Sequence, residues 1–300
     1  MASSPESFLL TRRLQSGKFY TVSTFLVKQA DFDGYTPYRK EIIMRILCIG
    51  DVTSPKGVEH LRQNLWRVRK EKRIDFCIVN AENAQVITGA NAADAEKLFA
   101  SGADCLTGGN HTMRQRSVYT YLDDTEAMLR PINFGDGAPG HGYAILDCNG
   151  YRVMVINAMG NIHIEPTLDN PYGYIDRALE REKGEYDIAV LDIHAEATGE
   201  KMAMGYAYDG KISVVFGTHT HVPTADEQIL PKGTGYVTDV GMCGESGGVL
   251  GMSPELVVKQ LRSRMPIKFE PAEGAPRATG AIFDVDASNG KVTSVERIVF

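Results

Sequence analysis

From residue 44 onward the apolar residues of this chain alternate between two periods, and that alternation constrains the fold more than any other feature. Residues 45–50, RILCIG, are a short apolar run of the kind a buried strand needs. Val58, Leu61, Leu65 and Val68 then fall at i, i+3, i+7 and i+10, the apolar stripe of an amphipathic helix. Residues 75–80 read as a second buried strand, Ala92, Ala95, Leu98 and Phe99 as a second helix, and residues 103–107 as a third strand. The order β-α-β-α-β implies parallel strands joined by right-handed crossovers.

Beyond residue 140 the pattern changes. Residues 143–147 and 151–157 flank Asn149-Gly150, a dipeptide that supplies the positive φ angles of a tight hairpin. Further strands are expected at 187–193, 211–216 and 236–240, then a helix opening at Pro254, where proline suits the first turn. A last hairpin joins 278–285 to 291–300 through Asn289-Gly290. About ten strands of mixed direction are too many for one simple doubly wound sheet, so the expected fold is α/β, with two packed mixed β-sheets flanked by helices.

The length of 300 residues is compatible with two domains or one large α/β unit, and the continuous pattern favours a single domain over 44–300. Residues 1–43 show no sustained period and are expected to be an N-terminal extension that is flexible or non-essential. Such a chain buries enough surface to fold without disulfide staples. Its five cysteines are odd in number and never adopt C-x-x-C spacing, which fits the reducing cytoplasm. No apolar stretch is long enough to span a membrane, and the runs after Arg12-Arg13 are too short for a signal-peptide core. With 32 Lys and Arg against 38 Asp and Glu, the net charge of −6 repels polyanions at long range. Stable nucleic-acid binding is therefore not expected; the basic stretch at 67–73 reads as the solvated face of a helix, and homo-oligomerisation stays open. A phosphate-bearing ligand would have to be held locally, by an arginine cluster, a helix N-terminus or bound metal.

Side chains that could bind metal recur at one structural place, just past the C-terminal ends of five of the expected strands, where α/β sheets gather ligands. Asp51 follows the first strand, Glu82 and Asn83 the second, Asn110 and His111 the third, His194 the strand at 187–193, and His219 and His221 the strand at 211–216. Gly50, Gly108, Gly109 and Gly217 accompany them and are expected to let the backbone turn sharply. Taken singly, Asp51 reads as a helix cap, Glu82-Asn83 as a solvated loop, His194 as a core histidine, and the pair at 219 and 221 as an alternating strand end. Five strand ends bearing such groups together favour a site. His60 reads as solvated, while His141 and His163 lie in loops and are not required. Carboxylate, carboxamide and imidazole donors without thiolate suit Fe, Mn, Co or Zn. Eight candidates exceed the needs of one ion; two ions about 3.5–4 Å apart, bridged by Glu82 and a water, would use them.

Read in order, Gly50-Asp51, Asn80-Ala81-Glu82-Asn83, Gly109-Asn110-His111, His194 and GTHTH at 217–221 resemble the calcineurin-like metallophosphoesterases. HAEATGEK around His194, GTHTHVPTAD from Gly217 and GTGYVTDVGMCG from Gly233 are more closely similar to the YmdB-like branch, bacterial cyclic-nucleotide phosphodiesterases. The resemblance covers 44–300 and implies the metallophosphoesterase α/β/β/α sandwich. It also implies that one ion takes Asp51, Glu82, Asn83 and His221 and the other Glu82, Asn110, His194 and His219, with iron foremost and Mn, Co or Zn as alternatives. Val52 and Thr53 stand where the superfamily's GDxH motif has its histidine, NAEN replaces GDxxD, and Thr112 replaces the acid of GNHE, leaving His111 without its usual orienting carboxylate.

The activity so implied is hydrolysis of a small phosphodiester, foremost a 2′,3′-cyclic nucleotide and secondly a 3′,5′-cyclic one, by a metal-bridging hydroxide, with His111 donating a proton to the departing oxygen. The loop at 238–244 is a candidate pocket wall. Two alternatives remain: a phosphomonoesterase using the same site, and a metal-binding regulatory or RNA-associated protein with little turnover. The run Gly244-Glu245-Ser246-Gly247-Gly248 fits a serine-esterase elbow by pattern alone, since no histidine follows His221.

Overall fold

The computed structural model describes residues 43–85 and 88–300; of the expected N-terminal extension only Ile43 lies among them. In chain order the first half runs β1 (Ile43–Ile49), β2 (Asp51–Val52), α1 (Ser54–Lys72), β3 (Phe76–Asn80), α2 (Ala92–Ala100), β4 (Cys105–Thr107), α3 (Tyr119–Asp124), β5 (Tyr143–Cys148) and β6 (Tyr151–Met159). The second half runs α4 (Pro171–Arg181), β7 (Ile188–His194), α5 (Thr198–Ala207), β8 (Val214–Thr218), β9 (Gln228–Ile229), β10 (Gly235–Val237), β11 (Met242–Glu245), α6 (Pro254–Ser263), β12 (Pro276–Asp286) and β13 (Lys291–Val299).

Two mixed sheets result. The first has the order β2-β11-β12-β1-β3-β4, with β13 also paired to β12; the second has the order β5-β6-β7-β8-β10-β9. β1, β3 and β4 are parallel, as the crossover pattern requires, and β12 returns antiparallel to β1 with Ile46 opposite Phe283. The β5–β6 hairpin turns at Asn149 (φ 56°) and Gly150 (φ 84°), both left-handed as the dipeptide implies.

Strand alternation sorts the core into layers. Ile46 and Cys48 of β1 point inward with Ile78 and Phe283, meeting Val155, Val190 and Phe216 of the second sheet. Their neighbours Leu47 and Ile49 point outward, against Val58, Leu61, Leu65 and Val68 of α1 and Leu98 of α2. Across the molecule Ile156, Leu191 and Val215 face outward onto Ile175 of α4 and Met204 of α5. The layering is therefore helix, sheet, sheet, helix, as expected.

The inward phase has a consequence for function. Continued toward the C-terminal strand ends it reaches Asn80 after Ile78, Thr107 after Cys105, Asp192 and His194 after Val190, and Thr218 after Phe216, all buried. The inter-sheet layer thus becomes polar at one end. Two expectations change elsewhere: His60 is only half-exposed, stacking on Phe300 and lying 2.9 Å from its carbonyl, and Arg69 of the basic stretch pairs with Asp104 at 2.7 Å.

Candidate metal centre

Four of the expected ligands converge on one point. His194 Nε2 lies 3.0 Å from Asn110 Oδ1, 3.2 Å from Glu82 Oε2 and 3.2 Å from His219 Nδ1. Their neighbours dictate which ring nitrogens carry lone pairs. The Thr218 hydroxyl donates to Asp192 Oδ1 at 2.7 Å and so accepts from His194 Nδ1 at 2.9 Å, which leaves Nε2 as the open nitrogen. His219 Nε2 pairs with Glu196 Oε2 at 3.1 Å, leaving Nδ1 toward the cluster. Two imidazole lone pairs, a carboxylate and a carboxamide oxygen then face one another, and the His111 backbone N–H, 3.2 Å from Glu82 Oε2, reaches the group only from its side. Such a group repels itself unless a cation, or a proton in its place, stands at the centre.

The titration behaviour agrees. Burial opposes charge on His194, yet Glu82, Asp51 and Asp192 raise it to about 9. Burial would raise Glu82 as well, but the charge on His194 and the hydrogen bonds of His111 and His194 hold it well below the carboxylate range. His219 is pushed down to about 3 by burial and by His194, as expected of a neutral ligand.

The second expected set gathers less tightly. Asp51 Oδ2 accepts from the His219 backbone N–H at 3.0 Å, whereas Oδ1 is buried without a hydrogen-bond partner among the described residues. This orphaned oxygen lies 3.9 Å from His221 Nε2 and 3.8 Å from the His194 ring. An unpaired buried carboxylate oxygen costs free energy unless a cation completes it, and Asp51 thus fits a second ion. Asn83 turns elsewhere: its amide N–H donates to Glu82 Oε1 at 3.1 Å, and its oxygen meets His111 Nδ1 at 2.8 Å. His111 is therefore not left without an acid, because Glu82 Oε1 stands 3.3 Å from Nδ1 in place of the carboxylate that Thr112 displaced. Thr112 instead closes the loop, its hydroxyl donating to the Gly109 carbonyl and accepting from the Gly109 N–H, both at 2.8 Å.

Local backbone explains the sequence around the ligands. The four site glycines all keep negative or extended φ, so sharp turning is not their reason. A Cβ on Gly109 would fall on Glu82 Oε2 and the His194 ring, and one on Gly217 on the Thr238 carbonyl, so these positions serve close approach. His219 (φ 95°) and His221 (φ 61°) carry the strain instead, in a region L-residues avoid. Asp239 secures that loop: one buried oxygen accepts from the Thr220 N–H and hydroxyl and from Lys201 Nζ, the last at 2.7 Å. Asp192, Thr218, Glu196, Asp239 and Lys201 were not among the residues the sequence offered for the site, although all but Asp192 fall inside the motif runs quoted above. Of these, Asp192 and Thr218 carried a signal, being in phase with the inward-facing residues of their strands.

The ligands open into a cavity of about 720 Å³ lined by Glu82, His111, His219 and His221 on one side and by Leu250, Met252 and Phe269 on the other. The wall is thus not the loop at 238–244, whose Asp239 is committed to the histidine loop. His141 lines a separate groove of about 930 Å³ between β5 and α4, and His163 is exposed. Ser246 of the rejected esterase pattern donates to the Ala275 carbonyl at 2.9 Å.

The profile of the YmdB-like protein family matches residues 47–298. The chain belongs to that family. A curated relative, the 2′,3′-cyclic-nucleotide 2′-phosphodiesterase of Bacillus subtilis, is 40% identical over 256 residues, covering 85% of this chain and 97% of the relative. A solved structure described as a novel phosphatase from Mycoplasma pneumoniae is 31% identical, with TM-score 0.81, 87% of this chain covered and 94% of that one. A second solved structure, a hypothetical protein from Thermus thermophilus, is 36% identical with TM-score 0.80, covering 86% of this chain and 99% of the other. These neighbours share the metallophosphoesterase architecture that the sequence motifs implied.

Proposed function

We propose that this chain is a metal-dependent phosphodiesterase that opens 2′,3′-cyclic nucleotides, with 3′,5′-cyclic nucleotides as a second substrate class. The observation that carries the reading is the convergence of His194 Nε2, His219 Nδ1, Glu82 Oε2 and Asn110 Oδ1 on one point. Glu82, Asn110, His194 and His219 would hold one ion, and Asp51, His221 and Glu82, beside Asn83, would hold a second. The N and O donor set suits Fe, Mn, Co or Zn, and the family resemblance puts iron foremost among them. When bound, two such cations supply Lewis-acid charge for the phosphate oxygens and acidify a water.

The chain's own residues complete the chemistry. In hydrolysis of a 2′,3′-cyclic phosphate a water oxygen bonds to phosphorus, the O2′–P bond breaks, and O2′ must gain a proton. His111 is placed to give it: Nδ1 is held by Asn83 and Glu82, which leaves Nε2 for the cavity that His111 lines. The spare imidazole favours turnover over a purely structural metal site, whose shell would be closed. The name of the Bacillus subtilis relative supports the 2′,3′ preference. A cytoplasmic place is supported by five thiols that are all free and buried.

The test is hydrolysis by the metal-reconstituted protein across 2′,3′-cyclic, 3′,5′-cyclic and monoester substrates, with the product phosphate position determined by NMR. The expected result is a preference for the 2′,3′-cyclic ester and a 3′-phosphate product. A preference for monoesters would overturn the substrate assignment.

A further inference from the structure

The wall facing the metal ligands is a small hydrogen-bonded flap. Val249 and Met252 exchange backbone hydrogen bonds of 2.9 and 3.0 Å around a two-residue turn, Leu250-Gly251. The turn is laced to the returning chain by Ala272 N–H to the Gly251 carbonyl at 2.8 Å and Ser253 N–H to the Glu270 carbonyl at 2.9 Å. Leu250 and Phe269 therefore belong to one unit, and both line the catalytic cavity.

Two features of this unit have no folding reason. Leu250 has φ 54° and Gly251 φ 84°, a turn that Asn-Gly would form with less strain, yet a bulky leucine occupies the first position. That leucine is 45% exposed and Phe269 is 39% exposed, so neither is held there by core packing. Strain kept at a half-exposed apolar residue inside a functional cavity points to a ligand. The ligand already implied carries a flat aromatic base some distance from its phosphate, and such faces are gripped by apolar and aromatic side chains regardless of base identity.

We propose that Leu250 and Phe269 grip the nucleobase of the substrate by its faces while the ligand cluster receives the phosphate, an inference that rests on the cyclic-nucleotide reading above. The flap is then a specificity device that distinguishes nucleotides from other cyclic phosphates, and its contribution falls mainly on KM.

The experiment compares kcat/KM for 2′,3′-cyclic AMP with kcat/KM for the base-free 2′,3′-cyclic phosphate of methyl riboside. In Phe269→Ala the ratio of the two is expected to fall about tenfold to a hundredfold, the worth of one base stack, through a higher KM for the nucleotide. Leu250→Asn is expected to lower the same ratio while raising the thermal midpoint, because asparagine tolerates the left-handed turn. Wild-type ratios in both variants would overturn the grip. If the wild type hydrolyses neither ester, the proposed function fails. Calorimetric binding of adenosine 3′-phosphate then still decides the grip, with weaker binding to Phe269→Ala expected and equal binding contradicting it.

Discussion

Thr218 shows how much one hydroxyl can decide. It stands between Asp192 and His194, and its direction of donation selects the His194 nitrogen that meets Glu82, Asn110 and His219. Thr218→Val keeps the shape and removes that selection. Metal affinity is expected to fall about 10–100-fold, the usual cost of losing a partner behind a ligand, as measured by competition with a chromogenic chelator. His111→Gln tests a different role: kcat should fall about 10²–10⁴-fold, as for loss of a general acid, with metal content by plasma mass spectrometry unchanged. Loss of metal in that variant would make His111 a ligand. The candidate ligands themselves were legible because each lies within five positions past the end of an apolar run. Their supports were less so: Glu196 reaches His219, and Asp239 reaches Thr220 between the two histidines, from loops whose course no local periodicity reveals, and Glu82 replaces the acid missing after His111 only through the fold.

Among the elements, the legible ones had a strong period. The stripe of α1 is buried at each of the four positions read from the sequence. α5 buries only Lys201, Met204 and Gly205, a stripe too thin to stand out, whereas α4 has a fuller one, Pro171, Ile175 and Ala178 with Tyr172 and Leu179 packed beside them, that the sequence reading did not use. β2, β9 and β11 are two to four residues long and exist through pairing with distant chain. Two predictions belong here. Leu65→Ala leaves a void between α1 and the first sheet and should cost about 2–5 kcal/mol in urea unfolding, since Leu65 is fully buried. Gly109→Ala should fold but lose metal, because its methyl occupies the place of Glu82 Oε2 and the His194 ring. Full metal content in that variant would show that the β4 loop is not held as close as described.

Across the whole molecule, the two packed sheets bring the ends of β1, β3, β4, β7 and β8 to one edge, and ligands scattered over 171 positions between Asp51 and His221 reach one place. That edge is acidic in a chain of net charge −6, which makes it a poor phosphate site until cations fill it. Cation binding should therefore stabilise the fold as well as activate it. Addition of Mn²⁺ at a hundredfold excess over its dissociation constant is expected to raise the calorimetric midpoint by about 5 °C or more, and EDTA to reverse the shift.

The most direct measurement is the number of metal ions per chain in the purified, reconstituted protein, taken by plasma mass spectrometry and located by anomalous scattering. The account predicts two ions, one beside His194 and His219 and the other beside Asp51 and His221, and loss of both in Glu82→Ala. A stoichiometry of zero, or a single ion indifferent to the removal of Glu82, would contradict it.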